Sequence, residues 1–398
     1  MVRTAVLLGL AVVAFASGSG AAPAGVVRLG AVIPLTGRFA SGGAQVRAGY
    51  EMAVEDLNAR GGVRVGGQQL RLELVVVDDE SDPTKTVSRM EALAQQDVAV
   101  YLGGFGSDLH AAAAAVAEKN RTPYCGVAFA LWGIHQRGYK YLFSPFPKSP
   151  EMAIETYRML NGYLLQDQRP RRVAIFAERT DWGREISNLW SVRSTEFGYQ
   201  VVFRGEYTVG TRDLSDLILR AKAAGAELVL GVPTPPDGIT LVRQMKELDF
   251  NPKALLLIRA PDAPAWSQSL GRDGDYTLLM PGWHPGVKFP GAADLNRKHQ
   301  ERFGRPADVL VGPAYACVQV AADAIQRAGS LDRERIREAM ASTSLRSTVV
   351  GPVRFRPDGT SPVTTVVVQW QAGRQELVWP REFATRPLAY PAAPWRNR

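Results

Sequence analysis

The chain has 398 residues, of which 46% are hydrophobic and 22% charged, a composition typical of a globular protein and not of a disordered one. Its formal charge of +8 is spread along the chain, so a nucleic-acid-binding function is not indicated and a modest attraction for anionic solutes is the milder inference. No later segment has the ~20 uninterrupted apolar residues of a membrane helix, so the mature chain is expected to be soluble.

The first 24 residues have the pattern of a secretory signal peptide. Arg3 precedes an apolar run at 5–15, and small residues suited to signal peptidase follow at 16–22. No cysteine follows this leader directly, so a lipid anchor on a mature N-terminal cysteine is not expected. We therefore predict a periplasmic or secreted protein that is not a lipoprotein.

Strand-like apolar runs then alternate with helical patterns, which is typical of an α/β fold with parallel sheets. Strands are predicted at 26–33, 70–77, 98–103, 123–127, 173–177, 199–204, 228–232, 254–258 and 276–280. Helices are predicted at 44–60, 83–95, 109–120, 151–165, 183–197, 213–224, 238–248, 292–303, 312–328 and 332–341. The tail after Gln371 contains four prolines and is expected to form an irregular strap on the surface.

The length predicts two lobes, because single cores stop growing near ~250–300 residues. Breaks rich in Pro and Gly near 144–150, 280–290 and 351–352 predict three crossings between the lobes. We assign 25–145 and 281–351 to lobe 1, and 146–280 and 352–398 to lobe 2 and the strap. Only Cys125 and Cys317 occur, and two buried free thiols are favoured over a bridge.

The common motifs of catalytic sites are largely missing from the sequence. The nucleophile elbow Gly-x-Ser-x-Gly does not occur after the leader, and no P-loop is present. Leu109 stands where the dinucleotide fingerprint beginning at Gly104 needs its third glycine. The four histidines show no i, i+4 pair. We therefore expect no enzyme activity, no cofactor and no metal.

Three loops of small residues follow strands and precede helices, at 36–43, 104–108 and 128–133. Ligands of open α/β sheets collect at such strand ends, where helix N-termini present free N–H groups. Around these loops the motifs are Leu-Gly-Ala-Val-Ile-Pro-Leu-Thr-Gly at 29–37, Ala-Val-Glu-Asp-Leu-Asn-Ala-Arg-Gly-Gly at 53–62 and Leu-Gly-Gly-Phe-Gly-Ser at 102–107. Further motifs are Gln-Arg-Gly-Tyr at 136–139, Asp-Trp-Gly at 181–183 and Gly-Pro-Val-Arg-Phe at 351–355.

In the order and spacing of these motifs the chain resembles the periplasmic leucine/isoleucine/valine-binding and amide-binding proteins of ABC transporters, over essentially its whole mature length. The resemblance implies two Rossmann-like lobes that close on a small solute, an organic acid, amino acid or amide, for delivery to a membrane permease. A monomer is expected. The alternative is a ligand-sensing receptor or regulatory module of the same fold.

The resemblance also implies site residues. Ser107 falls where the family binds a ligand carboxylate, with simple helix capping as the alternative. Phe129 and Ala130 fall on the next loop, where main-chain amides contact the ligand, and the hydroxyl common there is missing. Trp182 falls where an aromatic side chain covers the ligand, and Thr234 lies on a second-lobe loop that lines the cleft.

The acidic residue that holds the ammonium group of an amino acid aligns loosely with Arg259, although Asp262 is near enough to be the true equivalent. A cation at Arg259 would repel an ammonium group and attract a second anionic group. Gly42 would leave room in the pocket, and Arg38 could reach a carboxylate. These residues favour an aromatic or other organic acid over a branched-chain amino acid.

Overall fold

The structure is a computed structural model that describes residues 25–398, so the predicted signal peptide at 1–24 lies outside the described residues. The strands are β1 (Val26–Ile33), β2 (Val63–Val65), β3 (Gln68–Asp78), β4 (Val98–Leu102), β5 (Tyr124–Cys125), β6 (Leu142–Phe143), β7 (Arg172–Glu178), β8 (Gln200–Tyr207), β9 (Leu228–Gly231), β10 (Ala254–Leu257), β11 (Thr277–Leu279), β12 (Ser344–Leu345), β13 (Val353–Arg354), β14 (Val367–Gln371) and β15 (Arg374–Trp379). The helices are α1 (Ala40–Ala59), α2 (Pro83–Ala94), α3 (Ser107–Lys119), α4 (Ser149–Tyr163), α5 (Asp181–Glu196), α6 (Ser215–Ala223), α7 (Pro235–Glu247), α8 (Ala265–Leu270), α9 (Ala292–Phe303), α10 (Val311–Ala328) and α11 (Arg333–Ala341).

Two sheets form two lobes. The first has the order β2-β3-β1-β4-β5-β6, and only the short β2 runs antiparallel to its neighbour. The second has the order β15-β14-β11-β10-β9-β7-β8, with β14 and β15 antiparallel at one edge. Central strands such as β4 and β9 are buried at every residue, as expected where helices cover both faces of a parallel sheet.

The chain crosses between the lobes three times, after β6, after β11 and before β14. α10 is the most buried long helix and packs on α1 of the first lobe. The predicted two-lobed α/β fold with three crossovers is confirmed. The residue boundaries assigned to the lobes stay a prediction.

Two expectations are corrected. The tail after Gln371 is not wholly an irregular strap, because Arg374–Trp379 forms edge strand β15 against β14. Cys125 and Cys317 are not free thiols: they form a disulfide with Cα atoms 5.9 Å apart. The bond joins β5 to the buried helix α10, 192 residues later in the chain, a proximity that sequence spacing does not reveal.

Candidate functional site

Two connected cavities lie between the lobes. The inner cavity is narrow, and its walls are largely apolar, formed by Phe105, Phe129, Phe146, Met152, Met280 and Leu310. The outer cavity is wider and has more charged walls. Ser107, Trp182 and Arg259 line both cavities and so mark the boundary between them.

Ser107 is the first residue of α3, directly after Gly106, whose φ of +105° is readily adopted only by glycine. Ser107 is 4% exposed, and its Oγ accepts a hydrogen bond from Leu131 N at 3.4 Å. Ser107 thus does not occupy the capping position of its helix. The first amides of α3 have no partners within the helix, and they begin at the cavity wall.

The loop carrying Phe129 and Ala130 is held from behind by a buried lysine. Lys148 Nζ donates to Phe129 O at 2.9 Å and to Ser144 Oγ at 2.7 Å, and lies 3.6 Å from the centre of the Phe129 ring. The same ring stacks on His110 at 4.3 Å. Burial lowers the pKa of Lys148 well below its usual range and that of His110 to about 3. These contacts anchor the loop, which forms one wall of the inner cavity.

Trp182 lies in the first turn of α5 and is 4% exposed. Its indole Nε1 donates to Ser149 Oγ at 3.1 Å, and Ser149 Oγ in turn donates to Ala130 O at 2.9 Å. Trp182 is therefore hydrogen-bonded through Ser149 to the loop that carries Phe129, and both aromatic residues line the inner cavity. The structure brings these two predicted aromatic residues together.

Arg259 forms a buried ion pair with Glu178, the last residue of β7. The Nη2–Oε2 distance is 2.6 Å, and the two side chains are 6% and 3% exposed. Arg259 also donates to Val232 O at 2.7 Å and adopts a φ of +82°, a strained conformation for a residue with a side chain. Burial raises the pKa of Glu178, and the adjacent guanidinium opposes that rise. Arg259 is thus not a free cation, so its charge does not exclude an ammonium group from the cavity.

Asp262 lines the inner cavity and is buried, with 5% of the residue exposed. Its Oδ1 has no hydrogen-bond partner among residues 25–398, and burial raises the pKa of Asp262 from 3.8 to about 8 despite the positive charge of Arg259. Its backbone is well anchored, because Asp262 O accepts from Gln45 Nε2 at 3.2 Å and from Gln375 Nε2 at 3.3 Å. A held carboxyl group facing an apolar cavity is a candidate partner for a cation.

One of the three remaining predicted features is wrong, and the other two lie at the outer cavity. Gly42 does not leave room for a ligand, because the Phe105 ring occupies that space, with atoms 2.6 Å from where a Cβ would stand. Arg38 lines the outer cavity and pairs with Asp108 at 2.5 Å. Thr234 also lines the outer cavity, and its Oγ1 caps α7 by accepting from Asp237 N at 3.4 Å.

The model of the family described as periplasmic binding protein matches residues 26–375. The chain belongs to this family. Among curated relatives of this periplasmic binding protein, Leu/Ile/Val-binding protein homolog 7 of Brucella abortus is 24% identical, with 97% of this chain and 99% of the relative aligned.

Solved structures agree with the fold of this periplasmic binding protein. The leucine-binding protein LivK of Thermotoga maritima has a TM-score of 0.79 and 26% identity, covering 88% of this chain and 97% of its own. A solute-binding protein of R. palustris in complex with benzoate has a TM-score of 0.76 at 16% identity, covering 93% and 98%. These relatives are named as binding proteins, in agreement with the expectation that this chain is a binding protein. No helix within residues 25–398 is long and apolar enough to cross a membrane.

Two charged residues that the sequence analysis did not single out, Glu178 and Asp108, lie where ligands of open α/β sheets bind, at the carboxyl ends of the strands. Glu178 ends a buried strand, and Asp108 is the last residue of the predicted loop 104–108, so both lie at the predicted binding edge. Their pairing with Arg259 and Arg38 depends on contacts that no local pattern encodes. Lys148 lies in the first crossover, where the sequence offers no signal for a buried lysine.

Proposed function

We propose that this periplasmic binding protein is the solute-binding component of an ABC importer, and that its solute is a small α-amino acid with an apolar side chain. The observation that carries the proposal is the shared inner cavity of Ser107 and Asp262. One wall offers a hydroxyl and helix N-terminal amides, which suit a carboxylate. Another offers a carboxyl group, which suits an ammonium group.

The remaining walls fit the rest of such a solute. Phe105, Phe129, Phe146 and Met280 would contact an apolar side chain, and Trp182 would cover it. The relatives named for leucine, isoleucine and valine support this class of solute. Because the Arg259 charge is already neutralised by Glu178, it offers no obstacle to an ammonium group.

An aromatic carboxylate without an amino group is the second candidate. The observation that favours it is the pKa of Asp262, about 8, because a carboxyl group that is neutral at pH 7 does not repel an acid with a single charge. The benzoate complex of the R. palustris protein supports the same alternative.

Matched solutes separate the two candidates. Isothermal titration calorimetry at pH 8 with leucine and 4-methylpentanoate, and with phenylalanine and 3-phenylpropanoate, compares each amino acid with its counterpart lacking the ammonium group; benzoate completes the set. The proposal expects the amino acids to bind more tightly. Tighter binding of the counterparts or benzoate would favour the second candidate, and no binding of any of the five would contradict both.

A further inference from the structure

The two lobes are joined across the cleft by a carboxylate that lines neither cavity. Glu185 of α5, in the second lobe, accepts hydrogen bonds from Trp132 N at 2.8 Å and from Gly133 N at 2.7 Å, in the first lobe. Each oxygen of the Glu185 carboxylate accepts a hydrogen bond from one amide. We call this contact the interlobe clasp.

Within the described part of the first lobe, no other group accepts a hydrogen bond from the two amides of the clasp. Trp132 and Gly133 begin a short 3-10 helix (Trp132–Arg137) whose preceding residue, Leu131, makes no side-chain cap. A Cβ at Gly133 would lie 3.2 Å from Glu185 Oε2, so glycine permits this close approach. Among the described residues, Glu185 forms no salt bridge with a cationic side chain, which leaves the two amides as its main partners.

The clasp sits beside the binding groups of the cleft. Glu185 follows Trp182 by three residues and therefore lies on the same face of α5. On the other side, Trp132 follows the Phe129–Leu131 loop, and Leu131 N donates to Ser107 Oγ. Opening the lobes would separate Glu185 from both amides and expose all three groups to water.

We propose that Glu185 is an affinity-determining residue that holds the closed form of the protein without touching the solute. The inference rests on the proposed function, since it assumes that closure retains a solute. Two charge-assisted hydrogen bonds made only in the closed form raise affinity by favouring that form. Glu185 therefore sets how slowly a solute leaves, and the cavity residues set which solute enters.

The kinetic test uses leucine and phenylalanine as probes. Glu185→Gln keeps one acceptor oxygen but loses the charge, and it should raise the dissociation rate about 10-fold while changing the association rate less than about 2-fold. Glu196→Gln, at the far end of the same helix, is the matched control and should leave both rates unchanged. Equal dissociation rates in wild type and Glu185→Gln would overturn the proposal.

The first-lobe partner is tested separately. Trp132→Pro removes one clasp donor at a first-turn position that tolerates proline, and Trp132→Ala controls for loss of the indole. Trp132→Pro should weaken binding more than Trp132→Ala. Because the two changes remove one shared contact, Trp132→Pro combined with Glu185→Gln should lose less affinity than the product of the two separate losses. Full additivity would contradict the clasp.

A measurement without solute distinguishes failure of the clasp from failure of the proposed solute. The native cysteines are paired in a buried disulfide, so Gln136→Cys and Val192→Cys, at exposed positions in opposite lobes, would supply thiols for spin labels. Glu185→Gln should shift the label distances toward longer values, both without solute and with leucine. Superposable distances in the two proteins, or a wild type that is open under every condition, would overturn the clasp. If none of the solutes binds but the label distances still lengthen in Glu185→Gln, the proposed clasp is supported and the proposed solute class is wrong.

Discussion

Replacing Asp262 by asparagine should stabilise the solute-free protein and at the same time weaken amino-acid binding. The side chain keeps its size and hydrogen-bonding capacity, but the titratable group is gone. In the structure Asp262 faces the inner cavity with Oδ1 unpaired among residues 25–398. A buried carboxyl group without a partner destabilises the solute-free protein. The same group gains a partner when an ammonium group binds in the cavity.

The pKa of Asp262 sets the size and sign of the effect. Burial raises the pKa from 3.8 to about 8, so between these pH values the folded chain binds a proton that the unfolded chain has released. This stability is present below about pH 4 and is lost as pH rises through 8. At about 1.4 kcal/mol per pH unit, the loss reaches about 4 kcal/mol at pH 7 and about 6 kcal/mol above pH 8.

Guanidinium unfolding of both solute-free proteins between pH 4.5 and 8.5 provides the measurement. Because buried histidines such as His110 give both proteins the same opposite pH dependence, the informative quantity is the stability difference, and the difference in favour of Asp262→Asn should grow with pH. Leucine affinity should rise with pH toward 8 in wild type, up to about 10-fold per unit, because binding requires the ionised carboxylate. Parallel pH profiles for wild type and Asp262→Asn would refute the reasoning.

Three further predictions concern the framework of the site. Glu178→Gln should lower stability by about 3–5 kcal/mol by leaving Arg259 buried without its partner, and adding Arg259→Met should recover much of the loss in denaturant unfolding. Replacing Cys125 and Cys317 together by alanine should cost about 2–5 kcal/mol, seen as a lower Tm than that of the oxidised wild type. Gly42→Ala should push the facing aromatic ring toward the inner cavity and weaken solute binding by about 10-fold in calorimetry, since overpacking costs ~1–3 kcal/mol; unchanged affinity would contradict this.

Most helices and strands could be predicted from the sequence because each depends on a local pattern of apolar residues. β1 matches its predicted span of 26–33, and the buried runs of β9 and β10 are found within a residue of their predicted ends. The antiparallel strand β15 was missed. Its Gln375 and Glu376 are only half-buried, and four nearby prolines suggested an irregular segment.

The sequence indicated the position of the candidate site but not the charge state of its residues. Strand-end reasoning and resemblance directed attention to Ser107, Phe129 and Trp182, which line one cavity. The charge state of Arg259 could not be read from the sequence, because it depends on Glu178, which lies 81 residues earlier at the end of β7. Because Glu178 neutralises Arg259, Asp262 is the titratable residue of the inner cavity that bears on the choice of solute.

The most direct test of the account is a crystal structure of the protein with leucine or phenylalanine at pH 8. The account predicts solute density in the inner cavity, with the carboxylate at Ser107 and the first amides of α3, and the ammonium group within hydrogen-bond distance of Asp262. A solute bound outside this cavity, or one whose ammonium group lies away from Asp262, would contradict it.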